Sequence, residues 1–217
     1  VFIHDSYANA KTHAYAHQFT HVDGILLDLG FSSAHVDDPD RGFSFRSDGP
    51  LDMRYDMSRG QTAADIVNTW SEDELARVFR QYGEEVKARE IARAIVARRK
   101  ERPFDRTQDL SECVYKVISR RGKIHPATRV FQALRIAVND ELGELTRALP
   151  DLVDLLKPGG RLAIITFHSL EDRLVKTFMK ERQGLELVTR RPVVPTREEV
   201  EQNPRARSAK LRVATKK

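Results

Sequence analysis

Two short runs in this sequence carry side chains whose types and spacing suit ligand chemistry. The first is Asp28-Leu29-Gly30-Phe31-Ser32-Ser33-Ala34-His35, the second Phe167-His168-Ser169-Leu170-Glu171-Asp172. Each follows a solid apolar stretch that reads as a strand. In an open α/β sheet, ligands bind in the crevice beyond the carboxyl ends of the strands, so both runs lie where chemistry is expected. Asp28 offers an acceptor for amino or hydroxyl groups, Gly30 lets the backbone approach a ligand closely, and Ser32 and Ser33 offer donors. A turn or N-cap role for Asp28, and an ordinary loop for the serines, are the competing readings.

His168-Ser169 followed by Glu171-Asp172 invites a hydrolase assignment, which the neighbours of Ser169 exclude. A nucleophile elbow places Gly on both sides of the Ser; here the flanking residues are His168 and Leu170. Ser169 reads instead as the start of a helix over Leu170 to Arg182, with acidic residues in its first turn. His168 remains a crevice candidate, with a structural histidine as the alternative. His13 and His17 share a helix face at a spacing metals use, but neither a carboxylate nor Cys lies nearby in sequence, so no metal is expected.

The elements that must position these groups follow from hydropathy patterning. Val22 to Gly30 and Arg161 to Phe167 are apolar without alternation, as in strands covered on both faces. The second follows a Lys157-Pro158-Gly159-Gly160 turn. Val1 to Ile3 reads as the stump of a third strand. Leu185 to Val188 and Leu211 to Ala214 suit an antiparallel edge pair joined by the Pro-containing loop 192–209. Between the two best strands, Ala63 to Asn68, Glu72 to Tyr82, Glu84 to Arg99, Asp109 to Ser119 and Ala127 to Leu156 show helical spacing. Ser71 with Glu74 forms a capping box, Thr107 offers an N-cap, and Pro126 sits at a helix start. Val86 to Arg102 is an amphipathic helix that buries Val86, Ile91, Ala94 and Ile95 and shows Lys87, Arg89, Arg93, Arg98 and Arg99 outward. A solvated face and an RNA contact are both compatible with it. More than a hundred residues between two strands exceed a crossover helix. The predicted organisation is therefore an α/β core over residues 1–60 and 127–217 with a helical subdomain inserted over 61–126.

Composition narrows the class. With 217 residues, 40% of them hydrophobic and 32% charged, the chain can bury a core without staples and is not disordered. One cysteine, Cys113, cannot form an internal bridge, and no run approaches a membrane span, so a cytoplasmic protein is expected. The sequence opens Val1-Phe2-Ile3-His4 inside an apolar run, without an initiator Met or signal segment, and is expected to be a piece of a longer product. The net charge of +5 is uneven: Arg190 to Lys217 holds nine basic and three acidic residues, leaving the remainder at −1. A basic end suits a polyanion such as RNA, or simply a solvated tail. The stretch Asp37 to Met57 mixes arginine with aromatics, a combination suited to stacking on an unpaired base, or to an Ω-loop packed by its own side chains.

Asp23 to Ser33, Arg41-Gly42-Phe43-Ser44-Phe45-Arg46, Asp48 to Arg54, His125 to Ile136, Phe167 to Arg173 and Asn203 to Arg212 together resemble the RsmH (MraW) family. The similarity covers essentially the whole chain, with six motifs in order. The resemblance implies a Rossmann-like class I methyltransferase sheet, incomplete at the N-terminus, with an inserted all-helical subdomain that helps recognise RNA. It implies S-adenosyl-L-methionine as cofactor, and methylation of the exocyclic N4 of a cytidine in small-subunit (16S) ribosomal RNA, the ribosomal RNA or subunit being the partner. Cofactor contacts would fall on Tyr7, where the family usually has Phe, on Asp28, and on His35, where Gln is common. The proton acceptor, if a side chain, would be Asp28 or else His168. The family's Gly-Gly-His loop after its first strand, and the acid ending its second, are not in these residues. The chain alone is therefore expected to bind the methyl donor weakly, and its unpaired strand at Val1 to Ile3 to favour pairing with a second copy. A non-catalytic RNA-binding module is the alternative. A nucleotide-dependent oxidoreductase has no Gly-rich fingerprint here.

Overall fold

The computed structural model describes residues 1–118 and 125–217. The side chain of Ser33, and Ser119 at the end of a predicted helix, lie outside the described residues. The chain divides into two compact units, Val1–Gly30 with Leu142–Lys217, and Phe31–Glu141.

The first unit is α/β. Its strands are β1 (Val22–Asp28), β2 (Leu156–Thr166), β3 (Leu185–Leu187) and β4 (Lys210–Lys216), in the order β1-β2-β4-β3. β1 runs parallel to β2, with Leu27 opposite Ile164 and Asp28 opposite Ile165. β4 is antiparallel to both β2 and β3. The predicted Lys157–Gly160 turn is a bulge inside β2: Val22 pairs with Leu156 and Gly24 with Arg161, so the extra residues loop out. Leu27, Leu29, Leu162 and Ile164 form a core with Leu145, Leu149 and Leu152 of the helix over Glu141–Leu155, and with Val175 and Met179 of the helix over Ser169–Glu181.

Two expectations for this unit are corrected. Val1 to Ile3 form no strand, and Phe2 is fully exposed; a three-residue run needs a neighbour's hydrogen bonds, and no described residue supplies them. β1 is not covered on both faces. Leu27 and Leu29 face the core, while Leu26, on the opposite face of the pleat, is 66% exposed, and among the described residues β1 pairs only with β2.

The second unit is mostly helical. Its helices are one over Ser33–Asp37, then Ala63–Thr69, Glu72–Gln81, Ala88–Arg99, Thr107–Ile118 and Ala127–Asn139. The capping boxes of Thr62 with Asp65 and of Ser71 with Glu74 each satisfy the first free N–H groups of their helices. Phe79, Phe104, Ile91, Ile95, Leu110 and Leu134 are fully buried in one core; each such side chain contributes roughly 1.5–3 kcal/mol of transfer free energy. This unit is wider than residues 61–126. The predicted single helix 127–156 breaks at Asp140, which adopts φ 48°. Its first half, with Val130, Phe131 and Leu134, packs into the helical core rather than returning to the sheet. Val86 is also corrected: it precedes the helix and is 74% exposed, because the chain turns at Glu84 with φ 49° and the helix begins only at Ala88.

Candidate active site

Parallel pairing brings the start of the first predicted ligand run, Asp28 to Gly30, beside the start of the second at one edge of the first unit. The Leu29 N–H donates to the Ile165 carbonyl at 3.1 Å, so the ladder continues past the end of β1. Gly30 then turns at φ +95°, a conformation side chains disfavour, and a Cβ there would lie 3.5 Å from the Phe167 ring. The ends Asp28-Leu29-Gly30 and Thr166-Phe167-His168 thus lie side by side. Asp28 is exposed, and its carboxylate has no hydrogen-bond partner among the described residues.

His168 is the N-cap of the helix Ser169–Glu181, in the place expected for Ser169. Its Nδ1 accepts from the Glu171 N–H at 3.4 Å, and its Nε2 lies 3.2 Å from Glu171 Oε1. Glu171 Oε2 in turn accepts from the Phe167 N–H at 2.8 Å and the His168 N–H at 3.3 Å. Both side chains are buried. Glu171, which the sequence reading placed only in a helix first turn, is the residue that shapes this strand end; the three-residue spacing of a capping box was the signal for it. Asp172 is held by Arg212 at 2.7 Å and Lys210 at 3.0 Å. Burial raises its pKa, but the hydrogen bonds from Arg212 and Lys210 outweigh that and keep it below the usual carboxylate range.

Tyr7 lies in a short turn, Tyr7–Asn9, half-buried against the core of the first unit. His13 Nε2 sits 2.6 Å from Asp5. That hydrogen bond, with help from Asn9, lowers the Asp5 pKa to about 2. His13 therefore has a carboxylate partner that its sequence neighbourhood had not indicated. An apolar cavity of about 400 Å³ opens beside Leu142, Leu149, Leu170 and Phe178 and holds none of the candidate residues.

His35 belongs to the second unit. Its Nδ1 lies 3.3 Å from both the Ser32 N–H and the Ser32 hydroxyl, so the neutral ring carries its proton on Nε2. The ring is tilted against Phe43 at 5.3 Å and Tyr55 at 5.6 Å. Burial and then the Arg41 charge lower its pKa. Around it, Phe31, Phe43 and Tyr55 stack in series at 5.7 and 5.6 Å.

The loop Asp37 to Met57 packs on itself. Arg41 donates to the carbonyls of Arg54 and Tyr55 at 2.8 and 3.0 Å, and Arg54 grips Asp52 through both oxygens. The basic helix is likewise largely engaged. Arg99 donates to the Val67 and Trp70 carbonyls at 2.7 Å each, capping the helix Ala63–Thr69. Arg98 lies over Phe104 at 4.2 Å, and Arg89 meets Asp73 at 2.7 Å. In the basic end, Lys210 and Arg212 hold Asp172, while Lys216 donates to the carbonyls of Val153, Asp154 and Leu156. Structural cations thus account for part of the basic charge at this end, for which a polyanion partner and a solvated tail were both open.

The sequence model of the MraW methylase family matches residues 1–217, the whole chain. The chain belongs to the MraW methylase family. It is 52% identical over 97% of its length to the ribosomal RNA small subunit methyltransferase H of Thermomicrobium roseum, covering 71% of that protein. The protein of the same name from Carboxydothermus hydrogenoformans is 48% identical over 99% of the chain, with 75% of the relative covered. The one from Synechocystis is 54% identical over 92%, with 65% covered. In this MraW-family chain, the α/β sheet with its parallel β1–β2 pair is a Rossmann-like methyltransferase core, and the methyl donor of the family is S-adenosylmethionine. Among the described residues, no helix is long and apolar enough to cross a membrane.

Proposed function

We propose that the chain acts, within a product of its relatives' length, as an S-adenosyl-L-methionine-dependent methyltransferase for the N4 amine of a cytidine in small-subunit ribosomal RNA. The observation that carries this reading is the side-by-side placement of Asp28-Leu29-Gly30 and Phe167-His168 at the ends of two parallel strands. The donor, when bound, supplies an electrophilic methyl group. Within the first unit, Asp28 fits it as an exposed acceptor with no described partner, and Tyr7 as an aromatic surface.

What the protein's own groups must do follows from the nucleophile. The lone pair of a cytosine amine is delocalised into the ring, so the amine attacks poorly. An acceptor for its N–H bonds, from the Asp28 carboxylate or the carbonyls of Leu29 to Phe31, pulls the lone pair back onto nitrogen. Of these acceptors, the Asp28 carboxylate can also take the proton released on methylation. In-line positioning supplies much of the remaining acceleration. The base must leave any stack to reach the crevice. The capping role of His168, with both ring nitrogens facing Glu171, favours Asp28 over His168 as proton acceptor.

The test is transfer of labelled methyl from the donor to small ribosomal subunits, for the chain and for a product of the relatives' length side by side. Label in a cytidine N4 supports the reading. RNA binding by both without transfer favours the non-catalytic module and overturns it.

A further inference from the structure

The second unit holds a ladder of three rings that ends at the surface. Phe45 is anchored edge-on by Phe131 at 5.1 Å and stacks on His125 at 4.5 Å, with 25° between planes. Tyr115, on the helix Thr107–Ile118, continues the ladder on His125 at 6.2 Å and 27°, and is 46% exposed. The His125 ring is held in place because its Nδ1 accepts from the Ala127 N–H at 3.2 Å.

Beside the outer rings is a cavity of about 240 Å³ lined by Ser111, Glu112, Tyr115, Lys116 and His125. It is below the roughly 300–1,000 Å³ of sites for drug-sized ligands, a size for one planar heterocycle and not for a whole cofactor. The Ser111 hydroxyl, the Glu112 carboxylate and the Lys116 ammonium have no hydrogen-bond or ion-pair partner among the described residues. Glu112 and Lys116 are four residues apart, on one side of the helix, yet form no ion pair. A π-face, a carboxylate acceptor, a hydroxyl and a cation around one base-sized space are the groups that recognise a nucleotide: stacking for the base, an acceptor for an exocyclic amine, a cation for the phosphate.

We infer that this space is a subsite for an unpaired, amine-bearing base of the RNA substrate, with Tyr115 and His125 as its stacking face, Glu112 as acceptor from the amine and Lys116 on the adjoining phosphate. The inference rests on the RNA-modifying reading above and places one contact outside the methyl-transfer crevice.

The probes are short single-stranded oligocytidine and oligouridine, and an RNA duplex, titrated onto the full chain by fluorescence anisotropy. Tyr115→Ala is expected to weaken single-strand binding roughly 5- to 150-fold, the loss of one stacked base, whereas Tyr115→Phe keeps the ring and binds as the parent. Oligocytidine should bind more tightly than oligouridine, and Glu112→Ala should erase that preference. Lys116→Gln should lower the salt slope by about 1. Parent-like affinity in Tyr115→Ala overturns the subsite. So does a Tyr115→Phe chain as weak as Tyr115→Ala, a duplex that binds as well as single strands, a base preference that survives Glu112→Ala, or a parent chain that binds neither single strand. Methyl transfer to subunits, measured in parallel, tests the enzyme reading separately: transfer that persists when the subsite fails leaves that reading standing.

Discussion

Arg135 and Glu141 form a bidentate pair, Nε to Oε1 at 2.7 Å and Nη2 to Oε2 at 2.9 Å, with both side chains about nine-tenths buried. Glu141 also accepts from the Tyr55 hydroxyl at 2.9 Å, and the Arg135 guanidinium lies 4.4 Å from the Phe31 ring. Removing the arginine leaves a buried carboxylate without its cation. Arg135→Ala is expected to destabilise the helical unit by about 3–5 kcal/mol. Trp70, the single tryptophan, lies in that unit and reports its unfolding in urea. A loss under about 1 kcal/mol would show that the pair is a dispensable surface bridge.

Gly42 turns the Arg/aromatic loop at φ +70°, and a Cβ there would fall 2.1 Å from the Pro50 carbonyl oxygen and 2.7 Å from the Asp52 nitrogen. Both obstacles are backbone and cannot rotate away. Gly42→Ala should cost at least about 1–3 kcal/mol, seen as a lower urea midpoint by the same Trp70 signal. An unchanged midpoint would mean the loop is not the packed element described.

His35 should titrate below its ordinary 6.5, burial and then Arg41 being the causes. The folded state therefore sheds its proton while the unfolded state keeps it. The neutral ring's contribution is complete above 6.5 and is lost as pH falls from 6.5 through the lower folded value. Proton NMR of the imidazole should give a midpoint under 6.5, and Arg41→Gln should move it upward. A midpoint at or above 6.5 would remove the ring from the half-buried position between Phe43 and Tyr55.

Asp28 is exposed and lacks a described partner, so its replacement should not disturb folding. Asp28→Ala is expected to leave stability within about 0.5 kcal/mol. In a product of the relatives' length it should weaken methyl-donor binding or transfer about 10- to 150-fold, the value of a hydrogen bond to a charged group. Calorimetric titration and label transfer read these separately. Undiminished binding and transfer would remove Asp28 from the site.

Among the described residues β1 presents an unpaired edge, and Leu26 on it is exposed. Edges of this kind pair with other chains. The chain is expected to self-associate with rising concentration in sedimentation velocity, and Leu26→Lys to reduce it. A strictly monomeric parent chain would contradict this.

Much of the fold was legible from residue order because its signals are local. The apolar runs before Asp28 and Phe167 lie as neighbouring strands, Leu185–Leu187 pairs with the strand over Lys210–Lys216, and Ser71 caps its helix through Glu74. Legibility failed where distant residues compete for one another. Val86 and the helix break at Asp140 are cases in which a turn outweighed a good helical period. The loop at Asp37 to Met57 packs on itself through Arg41 and Arg54, by contacts that residue order does not disclose.

Hydropathy period, capping spacing and motif order, each acting over a few residues, are sufficient to determine the strands, most helices and the methyltransferase kinship from the amino-acid order alone. Only the folded chain decides which charges are taken: Arg99 by the Trp70 carbonyl, Arg212 by Asp172, Lys216 by the end of the helix over Glu141–Leu155. A hydrogen bond needs its two groups about 3 Å apart, and partners dozens of residues distant come that close only after the cores have closed around them.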